Sequence, residues 1–176
     1  MVSVGPYTPV TDYTHMYSFV DYRSKTKPQI CINKGSLYDF LKNTPGFSKF
    51  LKLVETAKMY AQINEIEADF TMFVPSDNFL QHLSPDYFDK MDDGMAKQIF
   101  NASVLNRKIP GKLMVSSPVS YYTTRNPLMR MYVTNIGGKT QINNCVNVVK
   151  YDILLNNGII HLIDGLIVPN EDHFMN

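Results

Sequence analysis

Cysteine, net charge and long apolar runs are all scarce in this chain, and each shortage removes a class of protein. Only Cys31 and Cys145 occur in 176 residues. They are far apart and in no metal-ligand spacing, so they build neither a disulfide framework nor a zinc site. Two reduced, partly buried thiols are the leading expectation, because unpaired cysteine packs as a small hydrophobe, with a single bridge between them as the alternative. Lys and Arg total 17 against 16 Asp and Glu, a net charge of +1. That balance gives no general attraction to phosphate backbones or anionic lipid, and no nucleic-acid partner is expected. No stretch reaches the ~20 apolar residues needed to span a bilayer. Met1 to Val20 shows no charged segment followed by an apolar run, so neither membrane insertion nor a signal peptide is expected. The chain reads as one made in the cytoplasm and incorporated there into a particle, or extracellular only through lysis or as a piece of a longer protein. The four histidines, His15, His82, His161 and His173, are scattered. There is no His-Glu-x-x-His, no nucleophile elbow and no phosphate-cradling glycine loop, so no metal, cofactor or enzymatic activity is expected.

What is present suits a globular fold. The chain is 44% hydrophobic and 19% charged, and at this length it should bury roughly 70% of its unfolded surface without staples. Residues 1–34 form an arm with Pro6, Pro9 and Pro28 and with aromatics at Tyr7, Tyr13, Tyr17, Phe19 and Tyr22 that follow no helical spacing. This arm is expected to be extended, and its aromatics are candidate contacts to the body or to a neighbouring chain, since bare aromatic surface is costly. Residues 35–170 form the body and 171–176 a short tail.

The body opens with helices. Ser36 and Asp39 resemble a capping box before Leu37, Phe40 and Leu41. Phe47, Phe50, Leu51, Val54, Ala57 and Ala61 then recur at helical spacing and predict one core-facing helix. Phe70–Val74 reads as a buried strand, stopped by Pro75-Ser76-Asp77. Ser84-Pro85 predicts a helix start leading to Phe88, and a further helix carries Met95, Ile99 and Ala102. From Leu113 onward the pattern becomes that of strands. Met129, Met131 and Val133 alternate with polar residues, Gly137-Gly138 supplies a hairpin turn, and Gln141 to Lys150 yields one or two strands. After the Asn156-Asn157-Gly158 turn, Ile159–Ile163 and Leu166–Val168 read as closing strands. Helices followed by antiparallel strands make an α+β fold.

Two stretches carry a family resemblance. Thr71-Met72-Phe73-Val74-Pro75-Ser76-Asp77-Asn78, paired with Asn157-Gly158-Ile159-Ile160-His161-Leu162-Ile163-Asp164 and a later Pro169, resembles the double signature of fasciclin-type adhesion domains over about residues 36–169. The resemblance implies a wedge-shaped β-sandwich flanked by N-terminal helices, in secreted or surface-anchored proteins that bind other proteins or matrix and are generally not enzymes. Members that bind integrins are associated with a Tyr-His pair after the long helix. Here that stretch reads Asn101-Ala102-Ser103-Val104-Leu105, so integrin binding is not carried over. Asn101-Ala102-Ser103 is also a glycosylation sequon, but one placed in a predicted helix.

Read physically, Asp77 after a buried strand is placed to accept backbone N–H groups at a helix start, and His161 inside an apolar strand needs partners for its ring nitrogens. A polar tie between the His161 strand and the Thr71 to Asp77 turn, with Ser76, Asn157 and Asp164 nearby, would satisfy both. The competing reading is a hydrolase built from His161, Asp164 and either Ser76 or Cys145, since such constellations are defined by geometry and not by order. The leading expectation is a non-enzymatic protein-interaction or adhesion module, held by its arm in a larger assembly such as a virus particle. A free-standing cell-surface or matrix recognition module is the alternative, with other protein chains as partners in either case.

Overall fold

Two strands far apart in sequence lie side by side at the centre of the sheet. The computed structural model describes residues 30–169. The described residues fall, apart from the first two, in one compact unit that begins at Ile32. The aromatic arm, with Tyr7, Tyr13, Tyr17, Phe19 and Tyr22, falls outside the described residues, as does the tail 171–176. In this unit, strand β1 (Phe70–Pro75) runs parallel to β7 (Gly158–Ile163), in register from Phe70 opposite Gly158 to Pro75 opposite Ile163. Pairing extends outward on both sides through β2 (Val104–Leu105), β3 (Val119–Thr123), β4 (Arg130–Ile136), β5 (Lys139–Ile142) and β6 (Val146–Leu155). The order across the sheet is β2-β1-β7-β6-β5-β4-β3.

One sheet supplies both layers of a sandwich because β6 bends. Its pairing with β7 shifts register between Val148 and Lys150 and again between Lys150 and Ile153, and Asp152 takes φ 64° there. Irregularities of this kind kink a strand and increase its twist. The start of β6 pairs with β5 and the rest with β7. Phe73 and Ile163 from one half of the sheet therefore pack in the same buried cluster as Met131, Val133 and Ile142 from the other, joined by Ile109 and Met114. A single bridge, Leu105 to Thr124, brings the two ends of the sheet together at one corner.

The helices form where caps and spacing direct. The Ser36 hydroxyl accepts from Asp39 N (3.0 Å) and the Asp39 carboxylate accepts from Gly35 N (2.8 Å), opening α1 (Leu37–Asn43). The expected second helix is two: α2 (Ser48–Thr56) and α3 (Tyr60–Asn64). Met59 N donates to Val54 O and Lys58 N to Glu55 O, a Schellman closure with Lys58 at φ 59° where glycine is usual. Ala61 is consequently exposed, and Leu53 and Ile63 supply core contacts instead. Helix α4 (Asp93–Ala102) is capped by Asp92, whose carboxylate accepts from Met95 N (2.7 Å). It buries Ala96, Ile99, Phe100 and Ala102 and leaves Met95 exposed. A short α5 (Gly111–Met114) follows Pro110.

Three further expectations are corrected. Ser84-Pro85 starts no helix; the segment makes hydrogen-bonded turns, Tyr87 N to Ser84 O and Lys90 N to Asp86 O, that still bury Phe88. Leu166–Val168 forms no strand, although Ile167 is buried. The strands are not all antiparallel, because β1 comes from within the helical half and meets β7 in parallel. That meeting depends on Gly158: a Cβ there would stand 2.5 Å from Phe70 O and 2.9 Å from Leu37 Cδ1. Gly158→Ala is therefore expected to lower unfolding free energy by about 1–3 kcal/mol through overpacking against backbone, measured by denaturant unfolding. Parent-like stability would show that the β1–β7 approach relaxes freely.

Candidate functional site

The polar residues singled out in the sequence divide among four separate holding points. Thr71 is fully buried; its hydroxyl donates to Arg107 O (2.6 Å) and accepts from Ile109 N (2.8 Å). His161, on the adjoining strand and also fully buried, accepts Asp152 N at Nδ1 (3.1 Å) and meets Ile109 O at Nε2 (2.7 Å). A backbone N–H can only donate and a carbonyl only accept, so the ring is neutral with its proton on Nε2. Burial pushes its pKa down, against a smaller upward pull from the Ile109 hydrogen bond and the Asp152 charge. The rings of Phe73 and Tyr151 lie 5.4 Å and 5.9 Å away. Thr71 and His161 thus grip one segment, Arg107 to Ile109, from two neighbouring strands.

Asp77 acts elsewhere. Its carboxylate accepts from Ser48 N (3.2 Å), Ser48 Oγ (2.7 Å) and Lys49 N (2.9 Å). It therefore caps α2, whose own N-cap position is occupied by Phe47, with no capping side chain. Ser76 contributes its carbonyl, accepting from Phe79 N (3.1 Å). Asn157 is fully buried and binds the start of α1 and the end of α3 to the hairpin: Oδ1 accepts from Leu37 N (2.8 Å), and Nδ2 donates to Ile63 O (2.8 Å) and Glu65 O (2.9 Å). Asp164 accepts from Asn147 N (2.7 Å) and Asn147 Nδ2 (3.0 Å), joining β7 to the start of β6.

The expected direct tie between His161 and the Thr71 to Asp77 turn is thus replaced by a shared hold on Arg107–Ile109 and a separate helix cap. The hydrolase constellation is not assembled either. Asp164 is bonded to Asn147 instead of His161, both ring nitrogens of His161 face backbone, and Cys145 is exposed. Cys31 is exposed as well, so neither thiol is partly buried as expected. In the sequon, Ser103 is buried and donates to Ile99 O, and Asn101 Oδ1 accepts from Arg125 Nε.

Sequence reasoning missed two groups. Asp152 Oδ1 accepts from Gly111 N (2.8 Å) while its own N–H serves His161; its exposed position at an irregularity in β6 leaves no periodic signal. On the outer face of β3 and β4, the Tyr121 and Tyr132 rings pack at a tilt with centroids 5.0 Å apart, and the Arg130 guanidinium lies 4.7 Å over the Tyr121 ring. With Leu128, Asn143 and Asn144 they line an open groove. The tyrosines and Arg130 are visible in the sequence, but their convergence requires the β3–β4 register.

A fasciclin-domain family model matches residues 45–169. The chain belongs to the fasciclin domain family. A fasciclin-like arabinogalactan protein, CTB11 of Cercospora beticola, is 28% identical over 129 residues, covering 72% of this chain and 33% of its own. This fasciclin domain therefore spans about a third of that curated relative. A solved FAS1 domain pair from the insect cell adhesion molecule Fasciclin I superposes with a TM-score of 0.66 at 24% identity, over 80% of this chain and 53% of that one. The α+β class and the fasciclin-type architecture read from the paired motifs are those of the structure. Among the described residues no helix is long and apolar enough to cross a membrane.

The ties make two measurable demands. Asn157→Asp, nearly isosteric, turns an amide that donates to two carbonyls into a carboxylate facing them, and is expected to cost about 2–4 kcal/mol; a thermal midpoint equal to the parent would show that Asn157 bridges nothing that matters. For His161 the sign follows from its lowered pKa. Below the ordinary value of 6.5 the unfolded chain binds a proton that the folded imidazole resists, so its contribution is complete above that pH and is lost as pH falls. Melting temperature is expected to drop between about pH 7 and about pH 5. His161→Gln should be less stable throughout and show a shallower drop; parallel pH profiles would remove the buried neutral imidazole.

Proposed function

We propose that this fasciclin domain is a non-enzymatic protein-interaction module, held among other chains of a larger assembly. The observation that carries this reading is how the motif residues are used. Thr71, Asp77, Asn157, His161 and Asp164 spend their bonding capacity within the fold, mostly on backbone, which stiffens the frame and leaves recognition to the outer surfaces. The superposition on an insect cell adhesion molecule supports adhesion as the general class of activity. The finer reading is a subunit of a particle such as a virion, anchored by Tyr7, Tyr13, Tyr17, Phe19 and Tyr22 of the arm; it rests on the concentration of aromatics in residues 1–34.

Gentle extraction from the native source, sizing, and cross-linking with mass-spectrometric mapping test this reading. A complex well above the 20.1 kDa of the chain, with residues 1–34 cross-linked to other polypeptides, is the expected result. A free monomer whose cross-links are all internal would overturn the assembly reading.

A further inference from the structure

Strand β3 ends the sheet with an open edge. Tyr132 donates its backbone N–H to Asn143 Oδ1 (2.8 Å), and its carbonyl accepts from Asn143 N (2.7 Å), so both groups face the β5 side. Tyr121 stands directly opposite Tyr132 in antiparallel register. Its own N–H and C=O must then point away from β4, to the free edge. The two-residue period gives Val119 and Thr123 the same orientation, whereas Pro118 O, accepting from Asn135 N (2.8 Å), belongs to the set that faces β4. Among the described residues Val119 and Tyr121 meet no backbone partner on that side; beyond them the edge is closed by the Leu105–Thr124 bridge, with Arg125 N donating to Val104 O (3.0 Å).

Natural sheets blunt such an edge with charge, bulges or cover; β3 reads Val-Ser-Tyr-Tyr-Thr, uncharged and regular. Its flanks are cationic instead. Arg107 lines a pocket with Leu105, Tyr121, Tyr122 and Thr123, and Arg130 lies over Tyr121 beside the outer groove. Acidic groups elsewhere in the body pair with lysine, as in Lys52–Asp89, Lys58–Asp93, Lys90–Asp86 and Lys108–Asp69. Arg107 and Arg130, whose guanidinium forks suit carboxylates best, meet none among the described residues. Beside the same groove Asn143 Nδ2 is a buried donor that meets no acceptor among the described residues.

We propose that the β3 edge binds an extended acidic segment of a partner protein as an added strand. Backbone pairing to Val119 and Tyr121, up to the Leu105–Thr124 bridge, supplies the hold, and carboxylates on Arg107 and Arg130 select the sequence. A sugar suits the site less well, because one face of the Tyr121 ring is covered by Arg130 and the ring also packs at a tilt against Tyr132. The assignment rests on the protein-interaction reading above.

The test titrates the full chain with a capped peptide of alternating Glu and Thr, by calorimetry and by amide exchange. Binding should fall about tenfold or more when Gln replaces Glu, and likewise in Arg130→Ala and in Arg107→Ala. The same peptide N-methylated at alternate residues, which cannot pair along an edge, should not bind, and the Val119 and Tyr121 amides should exchange freely until the unmodified peptide is added. Absence of binding at millimolar peptide overturns the proposal, as does equal binding of the Gln or N-methylated peptide. Edge amides protected before any peptide is added would mean that another part of the chain or a second copy already covers β3. Tighter binding of an oligogalacturonate than of the peptide would assign the site to an acidic glycan. Failure of the peptides alongside native cross-links to other chains would leave the module reading intact and remove only this site.

Discussion

The parallel contact of β1 with β7 is the constraint from which the rest of the body follows. A parallel pair requires a long crossover and cover on both faces. The crossover here is nearly the whole of the sheet, from β2 to β6, and it returns the chain beside a strand laid down among the helices. Phe73 and Ile163 then face the β4–β5 half, while Met72 and Val74 point to the opposite face and are closed off with the helices. Gly158 permits the approach because no side chain intervenes between it and the Phe70 carbonyl.

Burial on both faces explains the polar residues that the central pair contains. Thr71 and His161 have no route to water, so an unpartnered hydroxyl or imidazole would cost the desolvation of its polar atoms. Both resolve this by seizing backbone of the one irregular segment that passes close to them, Arg107 to Ile109. The segment gains satisfied groups in return, which is how a loop is held against a core without secondary structure of its own. Asn157 performs the same exchange for the helical end, between Leu37, Ile63 and Glu65. Residues that look like catalytic material in a list are here the fastening of long-range connections.

The two ends of the sheet differ, and the difference matters for recognition. At one end β2 is only Val104–Leu105, too short to offer much edge, and its Leu105 is already bridged to Thr124. At the other, β3 is regular, exposed on its outer face and flanked by arginines. Because the motif residues are bonded inside the fold, such surfaces are where sequence can change without disturbing the core.

Local structure was legible in the residues themselves. Ser36 with Asp39 opens α1, Gly137-Gly138 turns β4 into β5, and the buried run Phe70–Val74 is a strand, because caps, positive-φ turns and apolar runs act over a few residues. The paired motifs also carried the family, since their order and separation were specific. Where the local signal ran against the usual residue, reading failed: Lys58 closes α2 in a conformation that glycine normally takes, and the helix predicted to continue through Ala61 stops. Ser84-Pro85 had the chemistry of a helix start but too short a segment to become one. Only the tertiary structure decided that Asp77 caps α2 instead of its own turn, that His161 meets Ile109, and that Tyr121, Arg107 and Arg130 gather at one edge. Those contacts join residues well beyond one turn of helix or one strand repeat, and their partners are set by how the strands and the bend in β6 place the chain in space, which no local periodicity records.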